Sequence, residues 1–215
     1  MKTKVIFLLI IVLTKLLAAQ EVKTFGGGIK AGLNNAWLLN EEDFDTSTKL
    51  GLLAGAFVNY HLGGAITLQV EALYTMKGTR TPRQNFGSVT VPETRLNLNY
   101  LEIPVLAKLA LSSSKTFKPF IVTGPAFGFL SHSEMVLEER HGRDTKIDIE
   151  DFVRDRETSW VIGLAVNQIS AENQPALFFE FRYTIGLTPV FNADPDDADF
   201  DDKNQMVAVI LGIEF

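Results

Sequence analysis

Past its first twenty residues the chain reads in period two. In Ala65–Gly78 the even positions are Ile66, Leu68, Val70, Ala72, Tyr74 and Met76, and the odd ones are Thr67, Gln69, Glu71, Leu73, Thr75 and Lys77. Successive side chains of a strand point to opposite faces, so this segment predicts a strand with one apolar and one mostly polar face. Leu177, Phe179, Phe181, Tyr183, Ile185 and Leu187 repeat it against Glu180, Arg182, Thr184 and Gly186. Phe25–Asn34, Leu50–Leu62, the stripe Trp160, Ile162, Leu164, Val166 and the final run Val207–Phe215 do the same. Two segments are less regular. In Thr94–Leu109 the series Leu96, Leu98, Tyr100 passes to Leu101, Ile103, Val105, a change of phase that predicts a β-bulge. Phe117–Leu130 contains Pro119, Gly124 and Pro125, and its faces do not separate. Eight strands are predicted, and no stretch sustains a helical period.

The connections alternate in length. Asn40–Thr48, Thr79–Pro92, Ser131–Glu157 and Thr188–Lys203 are long, whereas His61–Gly64, Ser112–Thr116 and Asn167–Gln174 are short. That rhythm belongs to an up-and-down barrel whose ends face different compartments. The expected fold is therefore all-β, an eight-stranded antiparallel up-and-down transmembrane β-barrel.

Alternation alone fits a soluble barrel equally well, and the polar face decides between them. It is rich in glycine, with Gly26, Gly28, Gly32, Gly51, Gly55, Gly163, Gly186 and Gly212. On a water-facing surface these would only weaken the strands. Inside an eight-stranded barrel, just wide enough for side chains to fill, small residues are needed beside long ones. The same face carries Lys30, Glu71, Glu102, Lys108, Glu180 and Arg182, with Glu214, a mixture of signs suited to a structural charge network in the lumen. Trp37, Tyr60, Tyr74, Tyr100, Trp160 and Tyr183, with the terminal Phe215, fall on the apolar face and read as an interfacial aromatic girdle. A soluble barrel binding an apolar ligand would have to crowd all those stripes into its cavity.

Composition agrees with an exported membrane protein. There is no cysteine among the 215 residues, which excludes a disulfide scaffold and any thiolate site. A formal charge of -6 gives no reason to expect nucleic acid as a partner. Lys2 and Lys4 precede the apolar run Val5–Leu13, and small residues follow at Ala18-Ala19. The reading is a signal peptide over residues 1–19 and a barrel domain over 20–215. Nine apolar residues fall well short of the roughly 20 of a membrane-spanning helix.

Several segments read together: GIKAGLNNAWL at 28–38, LQVEALYTMKG at 68–78, YLEIPVLAKL at 100–109, KPFIVTGPAFGFL at 118–130, EFRYTIGLT at 180–188 and a terminal Phe215. The mature chain resembles the PorT-like outer-membrane β-barrel family of Bacteroidota-type bacteria, similar in architecture to the small OmpX and OmpA barrels. The resemblance implies residence in the bacterial outer membrane, contact with its lipid and lipopolysaccharide, and delivery by the outer-membrane assembly machinery. One branch of that family is associated with protein secretion, so a secretion-system partner is a further implication. Phe215 with Ile213, Leu211 and Val209 resembles the signal by which that machinery recognises its clients.

Candidate chemistry is sparse. Asp194, Asp196, Asp197, Asp199, Asp201 and Asp202 form an acidic run, but it lacks the glycine and glutamate positions of an EF-hand loop and reads as a solvated loop. Ser131, His132, Ser133, Glu134 and His141 share the third long loop, and outer-membrane lipid hydrolases do use Ser and His. No third group is seen to orient a base, so no catalytic residue, metal site or cofactor is assigned. The expectation is a non-enzymatic barrel with exposed loops that bind or adhere, or that assist a secretion assembly. A narrow porin for small solutes is the alternative, and a lipid-modifying enzyme the less favoured one.

Overall fold

The computed structural model describes residues 25–39, 48–82, 84–86, 89–111, 117–138, 144–168, 175–192 and 202–215. The predicted signal peptide and most of the acidic run Asp194–Asp202 lie outside these residues. Eleven strands are formed: β1 (Phe25–Leu39), β2 (Lys49–Gly63), β3 (Ile66–Thr81), β4 (Gln84–Phe86), β5 (Val89–Val91), β6 (Glu93–Ala110), β7 (Phe117–Glu138), β8 (Thr145–Asp148), β9 (Arg156–Gln168), β10 (Ala176–Pro189) and β11 (Lys203–Glu214). A 3-10 turn spans Glu150–Phe152.

Eight of them close on one another. The order β6, β3, β2, β1, β11, β10, β9, β7 is completed by pairing of β6 with β7, all antiparallel. The first and last strands meet from Gly28↔Glu214 to Leu39↔Lys203, and the Phe215 amide donates to the Gly27 carbonyl at 2.8 Å. Closure leaves no backbone edge facing lipid, which hydrocarbon requires because it offers backbone groups no partner. The apolar stripes point outward: Ile29, Leu52, Leu164 and Leu211 are all more than half exposed. The lysine, glutamate and arginine row points inward and is buried.

Three expectations are corrected. The long connection Thr79–Pro92 holds the β4–β5 hairpin, with Gln84↔Val91 and Phe86↔Val89. Ser131–Glu157 is not an open loop. β7 continues to Glu138, β8 pairs with its upper part (Glu134↔Asp148, Leu137↔Thr145), and β9 begins at Arg156. The third concerns the phase change in Thr94–Leu109. β6 alternates without a break, its even residues inward from Leu96 to Lys108. The bulge lies across the ladder in β7, where Asn99 faces His132 and Tyr100 faces Leu130, leaving Ser131 as the extra residue.

The misreading has a physical cause. Leu101, Ile103 and Val105 face outward into lipid, whereas Arg95, Asn97 and Asn99 on the same face of the same strand are polar. The outward face changes solvent above Leu101, from hydrocarbon to water. Inward Leu96, Leu98 and Tyr100 stay apolar because another part of the chain covers them. The bulge at Ser131 lets β7 turn Phe120, Val122 and Ala126 inward below, and Ser133 and Met135 above.

The lipid boundary predicts different responses on the one outward face. Leu164→Arg is expected to lower the unfolding free energy in lipid bilayers by about 2–4 kcal/mol. Asn99→Arg, above the boundary, should change it by less than about 0.5 kcal/mol, both read from urea unfolding midpoints.

Candidate functional site

From the long-loop end towards the turn end, the lumen is filled in layers. The outermost is apolar. Leu96, Leu98 and Tyr100 of β6 pack against Ile149, Val153 and Val190, with Leu38, Leu130, Met135 and Phe191 around them. The segment around the 3-10 turn lies against the segment after β10. Val153 bridges Phe191, the Arg154 amide donates to the Val190 carbonyl, and the Asn192 amide donates to the Phe152 carbonyl. These two segments close the outer mouth.

Beneath this cap lies a first ionic tier. Lys77 of β3 sits 2.7 Å from both Glu102 of β6 and Glu157 of β9, with its ammonium 5.3 Å from the Tyr100 ring centroid. Thr75 Oγ1 donates to Glu102 at 2.6 Å, and Asn204 Nδ2 to Glu157 at 2.7 Å. One cation thus faces two carboxylates, and two neutral donors complete the shell. Ala36, Leu53, Met206, Ala208 and Ile210 form an apolar layer on the β1, β2 and β11 side of the lumen.

A second tier stands six residues further along β3. Lys30 Nζ donates to Glu71 at 2.8 Å and to Glu180 at 3.1 Å. Arg182 places Nη1 and Nη2 on the two oxygens of Glu71, each at 2.9 Å, and Nε on Glu180 at 2.7 Å. Gln69 Nε2 also donates to Glu71. Two cations and two anions balance, and all four side chains are buried. A two-pronged arginine–carboxylate contact suits such a dry site, because the planar fork meets both oxygens without strain.

The glycine rows make room for this. The rings of Phe57 and Phe178 meet edge to face at 5.4 Å, each 5.6 Å from the Lys30 ammonium. A Cβ at Gly28 would collide with the Phe57 ring, and one at Gly212 with the Phe178 ring. Small and large residues alternate because the interior has a fixed width.

Residues 18–192 match the family model described as outer membrane protein beta-barrel domain. The chain belongs to this family. It is a small outer-membrane β-barrel protein, and the lipid of that membrane is its surroundings. The fold is similar to that of Ail, the attachment invasion locus protein of Yersinia pestis, at 12% identity over 88% of this chain and 98% of that one, with TM-score 0.43. It is also similar to Neisserial surface protein A, at 12% identity over 87% and 95% of the two chains, with TM-score 0.49. The outer membrane protease OmpT from Escherichia coli matches at 9% identity over 93% and 99%, with TM-score 0.39. No curated protein sequence matches the chain.

Among the described residues Ser133 and His132 point to opposite sides of β7. Ser133 is fully buried inside the cap, and its hydroxyl has no hydrogen-bond partner. His132 projects to the opposite side of β7, half exposed, 3.8 Å from both Glu134 and Glu150. His141 lies outside the described residues. Glu134, above the lipid boundary, has its carboxyl held below the usual range by hydrogen bonds from Asn97 and then Lys146. Among the described residues no group of His, Asp and Glu is arranged to hold a metal ion.

Of the aromatic residues, Trp37 stacks on Tyr183 at 6.3 Å, Tyr60 lies against Phe25 at 5.0 Å, and Tyr74, Trp160 and Phe215 are exposed outward. Trp160 Nε1 donates to Thr123 Oγ1 at 3.1 Å and the Tyr183 hydroxyl to Gln205 at 2.8 Å, so their polar ends are satisfied. Tyr100 is a correction. It is 1% exposed, inside the cap, because β6 keeps its phase through the segment where a slip was expected. A depression of about 790 Å³ beside Ile29, Ala31, Leu177, Phe179 and Leu211 opens on the outer wall. Its lining is mostly outward apolar residues and includes Lys30 and Phe178 of the wall beside the lower tier.

Sequence reasoning missed Lys77 and Glu157. Lys77 shares the parity of Glu71, a signal that was present, whereas Glu157 was hidden by ending the third loop on it. Removing Glu71 leaves two buried cations, Lys30 and Arg182, to share the one carboxylate of Glu180. Glu71→Ala is therefore expected to destabilise the folded barrel by about 3–5 kcal/mol. Replacing Lys30, Glu71, Glu180 and Arg182 together with apolar residues of similar volume should cost far less, read from urea unfolding in detergent.

Proposed function

We propose that this barrel is a non-enzymatic, non-conducting outer-membrane protein that works through the part standing above the lipid. One observation carries the reading: the lumen holds an apolar cap and two ionic tiers, in an eight-stranded barrel with little spare width. The buried charges Lys30, Glu71, Glu102, Glu180 and Arg182 then serve as packing that joins the walls rather than as an ion path. The outward aromatics Trp37, Tyr60, Tyr74, Trp160, Tyr183 and Phe215 hold the barrel at its two interfaces.

The working surface is the extension made by the upper parts of β3, β6 and β7 with β8. Its exposed apolar residues, Ile147 at 43% and Phe152 at 68%, have no lipid to face at that height, and such residues in water mark contact surfaces. Arg80, Arg95 and Lys146 stand nearby, paired with Glu93, Glu138 and Glu134, so this surface mixes charge with its apolar residues. Similarity to PorT-like proteins favours a secretion assembly as the partner, and adhesion is the same surface used outwards.

Purified protein in planar bilayers should show no unit conductance steps, and reproducible steps would favour the narrow-porin reading instead. In cells, Ile147→Asp with Phe152→Asp should reach the outer membrane at normal abundance and reproduce the phenotype of gene deletion, scored as secreted protein in the medium and as attachment. Full complementation by that variant would move the working surface elsewhere.

A further inference from the structure

Eight ionisable side chains are buried among the described residues: Lys30, Glu71, Lys77, Glu102, Lys108, Glu157, Glu180 and Arg182. Seven have an oppositely charged partner within 3.1 Å. Lys108 has no such partner among the described residues. Its ammonium has only aromatic faces beside it, Phe120 at 5.0 Å and Phe178 at 5.7 Å from the ring centroids. A buried cation is ordinarily paired, and a ring face is a weaker partner for an ammonium than a carboxylate.

Among the described residues no carboxylate forms an ion pair with Lys108. Glu214, the carboxylate at this level, already accepts from Asn59 at 2.6 Å and Asn167 at 3.1 Å, and it forms no ion pair with Lys108. A second ammonium, that of Lys118, lies 5.3 Å from the same Phe120 ring. Lys118 stands opposite Asn167 on β9, and Lys108 stands opposite Thr67 on β3, whose hydroxyl is 2.8 Å from the His61 ring. Two lysines therefore share one aromatic ring close to Glu214. This ring of residues lies below the lower ionic tier, at the end of the lumen with the short turns, which in outer-membrane barrels faces the periplasm.

We infer that this periplasmic mouth is a binding site for a small oxyanion, a carboxylate or a phosphate, whose oxygens accept from Lys108 with Lys118 as the outer counter-charge. The Phe120 and Phe178 rings flank the Lys108 ammonium, and an apolar flank strengthens a charge contact beside it. The site is independent of the sealed lumen above it, so a conductance result of either kind leaves it standing.

The test is an NMR titration of the refolded, isotope-labelled barrel in detergent micelles. Sodium acetate and sodium phosphate are the probes, with sodium chloride at equal ionic strength as the control. Saturable shifts at the amides of Lys108, Lys118 and Gly26 are expected with at least one oxyanion; tighter acetate marks a carboxylate ligand and tighter phosphate a phosphoryl one. Lys108→Met should raise the apparent Kd by roughly tenfold or more. Lys118→Gln, nearer the solvent, should raise it about threefold, and it reports independently should the first variant misfold. Shifts that never saturate, that chloride reproduces, or that survive both substitutions unchanged would overturn the site.

Discussion

Hydrocarbon cannot hydrogen-bond, and the whole molecule is arranged around that fact. Every backbone amide and carbonyl at membrane depth must find its partner within the sheet, so the sheet must close, as β1 and β11 make it do. Eight strands then set an interior of fixed width. Whatever points inward has to fit that width and satisfy its own polarity without bulk water. The ion-paired tiers and the glycines beside Phe57 and Phe178 are two answers to one geometric condition.

The same condition explains why one strand obeys two hydropathy rules. Below Leu101 the outside of β6 touches lipid and the inside is charged at Glu102 and Lys108. Above it, the outside touches water, and the inside is apolar because the segments around Val153 and Val190 fold over it. Strand geometry runs on unchanged while the partition of apolar residues between faces reverses. The extension is thus a continuation of the barrel wall into a second solvent.

Much of this was legible in the residues. The outward stripes of β3, β9 and β10 and the inward Lys30, Glu71, Glu180 and Arg182 follow from parity alone, because the lipid band is long and uniform there. Tyr100 was not legible, since an apolar residue beside Leu101 carries no mark of which solvent lies outside its strand. Nor was the pairing of Lys77 with Glu102 and Glu157. Parity assigns a face, but contact across a lumen depends on register and tilt, which no local pattern encodes. The third long connection looked like a loop because its cap residues, Ile149 and Val153, serve no periodic element.

The seam between the first and last strands also dictates an order of events during biogenesis. Lys30 meets Glu180 across 150 residues of chain, and Arg182 meets Glu71 across 111. None of these charges can lose its hydration profitably until the last hairpin has been made and brought round to β1. A nascent chain therefore has no stable partial barrel to rest in, and loop-closure entropy opposes the ring until its final ladder zips.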